Sequence, residues 1–173
     1  MLIIPAILRS FALLISIISF ILVLTGPGVC HYIDTYFESY YYCDSSQNVD
    51  ISEWDWFPNS IYGQIPVIIV PLIYSLIPIS ISIYHIIKKD WIDPIKQLGI
   101  LGCGIAIFLV CAAIETFYAA RYGTIFYTIL FSRQGTSFYV QGWAAAAGLY
   151  YLVTITYFID MVVIYKTQYQ NDY

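Results

Sequence analysis

Four apolar stretches, each long enough to cross the hydrocarbon core of a bilayer, leave this chain few ways to fold. A helix needs about 20 residues to span that core, and residues 3–25, 65–87, 95–120 and 142–165 each supply them. The β-branched runs within them (ISIISF, IPVIIVPLIY, IPISISIYHII) would favour strands in water. In lipid every backbone N–H and C=O must find its partner within its own segment, and that requirement outweighs propensity. The stretches therefore predict helices. Composition points the same way: 60% of the 173 residues are hydrophobic and 10% charged, against about 25% charged in a soluble domain. The expected fold is all-α, an integral membrane four-helix bundle with a long first extracellular or lumenal loop. Neither a repeat nor a low-complexity linker interrupts it, so residues 1–173 read as one domain.

The basic residues set an expected orientation, because Lys and Arg near helix ends favour the cytoplasm. With the N-terminus inside, Arg9, Lys88, Lys89, Lys96 and Lys166 fall on the cytoplasmic side, and Arg121 and Arg133 do not. Both termini are thus expected in the cytoplasm, in the plasma membrane or secretory pathway. Two outer loops result, Gly26–Gly63 and Arg121–Gln141, with a short inner turn, Lys88–Pro94. The second loop holds an apolar patch, Ile125–Phe131, far too short to span. Residues 1–25 also fit a signal peptide, with Arg9 ahead of an apolar core; the poor cleavage signal VLTG and the Pro27 that follows favour a retained helix.

Cys30 and Cys43 share the first outer loop, 13 positions apart, on a side where disulfides persist. The sequence predicts that they pair, with free thiols or a bond to another chain as the alternatives. Cys103 and Cys111 lie in the third stretch and read as buried packing residues. His31 and His85 fall on opposite sides, so no metal or cofactor site is expected. Between the loop cysteines, Tyr32, Tyr36 and Tyr40 recur every four positions, which would place them on one face of a helical turn. Such a face suits either headgroup contact or a partner-binding surface. Trp54 and Trp56, just before the second stretch, read as an interface anchor.

Intramembrane charges draw attention because lipid makes them costly. Glu115 and Asp160 qualify, each near a helix end. Arg121 and Lys166 follow them by about one and a half turns, so snorkelling or local pairing is expected, with a structural role. Small residues at helical spacing (Gly99 and Cys103, Gly102 and Ala106, then Gly142, Ala144, Ala146 and Gly148) predict close helix approach within the bundle or in a dimer. Pro66, Pro71 and Pro78 could kink the second helix. No Asn-x-Ser/Thr sequon is present, and no basic stripe that would suit nucleic acid. A nucleophile elbow, Walker loop, HExxH motif and glycine-rich dinucleotide turn are also missing. The sequence reads as non-enzymatic.

Three segments resemble the MARVEL-domain family of tetra-span proteins, in particular its small fungal members. ILRSFALLISIISFILVL looks like the family's first helix with its early basic residue, and DPIKQLGILGCGIAIFLVCAAIE is similar to the third, opening on an acidic Asp93. GWAAAAGLYYLVTITYFIDMVVIYK is similar to the Ala-rich fourth helix that ends in Tyr and a basic residue. The first outer loop is longer and more acidic than in many members. The claudin triplet Gly-Leu-Trp and the tetraspanin Cys-Cys-Gly motif are both missing from it and from the second loop. The resemblance implies a non-enzymatic role in organising membrane microdomains or vesicle traffic, through contacts with lipids, other membrane proteins or itself. An accessory subunit of a larger complex, or a small transporter or channel, is the alternative; it requires Glu115 or Asp160 to face a hydrated cavity.

Overall fold

The structure is a computed structural model that describes residues 3–34, 39–56, 61–88, 93–122 and 135–169. Tyr36, Lys89, Arg133 and the Ile125–Phe131 patch lie outside the described residues, as do the side chains of Trp56 and Arg121. Four helices form where the apolar stretches predict them: α1 (Ile3–Thr25), α2 (Gln64–Lys88), α3 (Pro94–Phe117) and α4 (Gln141–Tyr169). All four are long and apolar enough to cross a membrane. Asp93 caps α3, its carboxylate accepting the Ile95 N–H at 3.0 Å, and Pro94 occupies the first turn, where its missing N–H leaves no bond unmade. A single π-helical turn, Tyr118–Tyr122, extends α3.

The buried residues reveal a second pattern. Along α1 they are Arg9, Ala12, Ser16, Ser19 and Val23; along α3, Gln97, Leu101, Gly104, Phe108, Cys111 and Glu115. On α2 the series Gln64, Ile68, Pro71, Ser75, Pro78, Ser82 and His85 is buried, and on α4 Trp143, Ala147, Tyr150, Val153, Tyr157, Asp160 and Ile164. Each series advances by steps of three or four, about 3.5 on average. That 3.5-residue repeat is the packing seam of helices wrapped around one another. The seams carry small and polar residues, whereas Ile4, Ile7, Leu14, Ile73, Ile87, Ile155 and Phe158 point outward and exposed. The bundle is apolar outside, and its largely apolar core holds buried polar and charged side chains.

Close approach is real at Gly142, as expected, where a Cβ would run into the Pro27 ring, and also at Gly104, which the spacing did not single out. A Cβ on Gly104 would come within 2.9 Å of the Tyr157 ring and 3.0 Å of Tyr74. One on Gly99 or Gly148 would meet nothing within 4 Å, and one on Gly102 only the end of Met161. Overpacking a filled site typically costs about 1–3 kcal/mol. Gly104→Val is therefore expected to lower the thermal unfolding midpoint in detergent, while Gly99→Ala leaves it unchanged. Equal midpoints for the two variants would contradict this packing.

The all-α expectation needs correction at the end of the bundle where α1 stops and α2 starts. Residues 27–48 form a hairpin, β1 (Pro27–Asp34) and β2 (Ser39–Asn48), and β3 (Gly135–Val140) joins it from the second connection. The sheet is antiparallel with β1 in the centre. Tyr-rich β2 supplies side chains suited to a pleated, half-covered surface. Val29 and Val140 are buried against Val23, Ile68 and Trp143 of the helices, and Cys30 is buried beside them on β1. Gly26 ends α1 at φ +45°, donating to the Leu22 carbonyl at 3.0 Å, the usual role of a glycine just past a helix. Its carbonyl then accepts the Val49 N–H at 3.0 Å. The chain turns at once from helix into sheet.

Two further expectations fall with this sheet. Tyr32 pairs with Tyr41, and Ile33 with Tyr40. Opposed residues share a face and neighbours along a strand alternate, so Tyr32 and Tyr40 point to opposite faces and form no common helical stripe. Trp54 lies in a 3₁₀ segment, Ile51–Trp56, and is fully buried, its ring edge-on to Tyr62 at 6.2 Å. It is a core residue of the sheet end and does not anchor at an interface.

Candidate functional site

Two polar centres lie inside the bundle, one toward each end, and every helix contributes to them. The first surrounds Arg9. Its position on the α1 seam turns its side chain inward, where it is 3% exposed. Arg9 Nε donates to Asp160 Oδ2 at 2.7 Å, joining α1 to α4. Its Nη1 donates to Ser82 Oγ at 2.9 Å and to the Pro78 carbonyl at 3.3 Å, both on α2. Nη2 donates to Gln97 Oε1 of α3 at 3.2 Å. Gln97 Nε2 lies 3.3 Å from His85 Nε2. One guanidinium therefore holds groups from the other three helices, a task its planar fork of donors suits and a lysine ammonium cannot match.

Asp160 is fully buried. Contrary to the expectation from the sequence, it neither reaches an interface nor pairs with Lys166. The proximity of Lys166 along α4 misled, because a partner 151 positions away on α1 occupies the carboxylate. Arg9 likewise cannot count as a charge at a helix end. Without it the orientation bias rests on Lys88, Lys89, Lys96 and Lys166 against Arg121 and Arg133. The signal that marks Arg9 was present in the sequence: Arg9, Ala12, Ser16 and Ser19 fall on one stripe of α1, opposite a continuous run of Ile, Leu and Phe.

The second centre lies nearer the sheet. Glu115 of α3 and Gln64 of α2 are both fully buried, and Gln64 Nε2 donates to Glu115 Oε1 at 3.5 Å. Glu115 Oε2 and Gln64 Oε1 have no hydrogen-bond partner among the described residues, and neither does Asp160 Oδ1. The expected snorkelling of Glu115 is not what the fold allows, since its carboxylate faces α2 across the core. Of the two thiols on α3, Cys111 is buried in the core as expected and Cys103 is exposed.

Between the two centres sits an aromatic layer. Phe108 is edge-on to Tyr150 at 5.9 Å and to Tyr157 at 5.5 Å, and all three are buried. The space beside Arg9, Pro78 and Gln97 is too small to admit a water molecule. Among the described residues no three of His, Cys, Asp and Glu come together as metal ligands. The chemistry this arrangement can perform is to fix four helices in one register, since separating a buried ion pair leaves each charge uncompensated in the core.

At the sheet end, Cys30 and Cys43 face each other across β1 and β2 and are bonded, as the sequence predicts. Gln141 Nε2 donates to Cys30 Sγ at 3.1 Å, which ties the bond to the start of α4. Trp143 Nε1 donates to the Val23 carbonyl at 3.2 Å and holds the last turn of α1 there. Asp44 next to the bond has its carboxyl held below the usual range, first by the Ser46 hydroxyl and then by the Ser46 backbone N–H. No protein family, characterised protein or solved structure matches this chain. Its functional reading rests on its own residues.

Proposed function

We propose that this protein is a non-enzymatic, four-span membrane protein that organises membrane microdomains or vesicle traffic through contacts with lipid and with other membrane proteins. The observation that carries the reading is the apolar outer surface of the bundle, set against the polar and charged side chains buried inside it. Arg9, Gln64, Gln97, Glu115 and Asp160 are buried while Ile, Leu, Val and Phe face outward on all four helices. In water such a surface far exceeds the few hundred Å² of apolar patch that monomers tolerate; in a bilayer it is the expected one. The topology follows from the Lys and Arg bias: both termini in the cytoplasm and the sheet on the far side, where the Cys30–Cys43 bond persists. The pairing of Arg9 with Asp160 favours a retained α1, because cleavage would strand a buried carboxylate. The MARVEL resemblance agrees with the four-span layout.

A second reading, a small proton-conducting channel or an accessory subunit of one, has a specific observation in its favour. The hydroxyls of Tyr150 and Tyr157 are buried without partners among the described residues, and they lie between Glu115 and Asp160. The aromatic layer and the lack of room for water beside Arg9 weigh against it. Flux separates the two. Vesicles reconstituted with the intact chain should pass protons and ions no faster than empty liposomes. Wild-type flux that Glu115→Gln or Asp160→Asn abolishes would establish the channel reading instead. Reporter tags at both termini should be protected in sealed, right-side-out vesicles, and an accessible tag would refute the topology.

A further inference from the structure

At the end of the bundle away from the sheet, an open groove of about 480 Å³ runs between α3 and α4. Leu98 of α3 and Phe158, Met161, Val162 and Tyr165 of α4 line it, and Lys166 stands at its mouth. Gly102 of α3 lies beside it, where a Cβ would meet only the end of Met161, at 3.7 Å. Lys166 is exposed. Asp160, the carboxylate nearest along its helix, is committed to Arg9 at 2.7 Å, and no other carboxylate among the described residues forms an ion pair with Lys166. The result is an open apolar groove with Lys166 at one end, in an ion pair with no carboxylate among the described residues.

We propose that this groove holds one acyl chain of an anionic glycerophospholipid, with the lipid phosphate on Lys166. The inference rests on the membrane reading above and names the lipid class that the protein contacts. Size and lining fit the chain: the groove of about 480 Å³ is walled mainly by Leu98, Phe158, Met161 and Val162, which suits an acyl chain lying along it. Position fits the headgroup, because Lys166 lies in the last turns of α4, where a spanning helix meets the interface. Charge fits the phosphate, since basic residues between helices on the cytoplasmic side attract anionic lipid headgroups. A second copy of the chain is the less suited occupant, because its matching groove would bring a like Lys166 to the contact.

Native mass spectrometry of the full chain in detergent tests this, with phosphatidylglycerol and phosphatidylcholine of identical acyl chains added in equal amounts. One lipid should be retained, with phosphatidylglycerol favoured about fivefold, the effect of one lysine near an anionic headgroup. Lys166→Gln should bring the ratio to about one, and Lys166→Arg should keep the preference. Val162→Trp, a substitution at an exposed position, should remove most of either adduct by filling the groove. Equal retention of both lipids by the unmodified protein would overturn the proposal. So would a preference that survives Lys166→Gln, or a dimer that Val162→Trp abolishes. Carbonate extraction keeps the two readings apart. A chain that stays in the membrane pellet without lipid preference overturns only this proposal, whereas a chain released by carbonate overturns the membrane reading as well.

Discussion

Asp160→Ala should lower the thermal midpoint of the detergent-solubilised protein by about 10 °C. Removing one partner of a buried ion pair costs about 3–5 kcal/mol, because the other charge stays buried and uncompensated. For a chain of this size each kcal/mol moves the midpoint by roughly 2–4 °C. Arg9 is the charge left behind, with Ser82, Gln97 and the Pro78 carbonyl still on it but no anion. Asp160→Asn should be milder, since an amide oxygen can still accept from Nε; even so, its effect exceeds the modest one that an end-of-helix carboxylate implies. Arg9→Lys should lose much of the same stability, because a single ammonium cannot reach partners on three helices. The informative variant is the double one. Arg9→Met with Asp160→Leu removes both charges at similar volume and should recover most of the loss of either single change. Additive losses, or an Asp160→Ala midpoint within a degree of the wild type, would disprove the coupling.

The second large effect belongs to the disulfide. Cys43→Ser should cost roughly 3 kcal/mol in the chain-entropy model for a loop of this length. Cys43 is the better site to change, since it is exposed, whereas Cys30 is fully buried and accepts from Gln141. The loss should be local in character. Hydrogen exchange should rise across β1 and β2, and spread to β3, which pairs with β1, while the Arg9 end of the bundle keeps its protection. Peptide mapping without reductant should recover residues 30 and 43 as one linked pair. Free alkylation of both thiols in native membranes, with no change in midpoint on substitution, would show that the bond plays no part.

The four helices were legible because their determinant is local. A run of about 20 apolar residues satisfies the length requirement by itself, and the helix bounds fall within a few residues of the apolar stretches. The disulfide was legible for a similar reason, two cysteines on one connection and the same side. Their cross-strand geometry was not, since Tyr-rich segments at four-residue spacing fit a helical turn as readily as a strand until β3 arrives from more than a hundred positions away to complete the sheet.

The buried charges show where local reasoning stops. Asp160 with Lys166, and Glu115 with Arg121, are near neighbours along the chain, and proximity suggested pairing. Which face a residue occupies mattered more. The 3.5-residue seam on each helix carries Arg9, Ser82, Gln97 and Asp160 to one level of the core and Gln64 and Glu115 to another. The seams themselves are written in the sequence as stripes of small and polar residues. Their pairing is not, because it depends on which helices are adjacent and at what height, and only the assembled bundle fixes that. Sequence alone determined that the chain forms four helices fit for lipid and a disulfide-bonded first connection, through backbone hydrogen bonding and chain length. The tertiary structure alone decided that Arg9 takes Asp160, and so that Lys166 keeps its charge at the mouth of a groove, because a buried carboxylate binds the donor that the packing places against it.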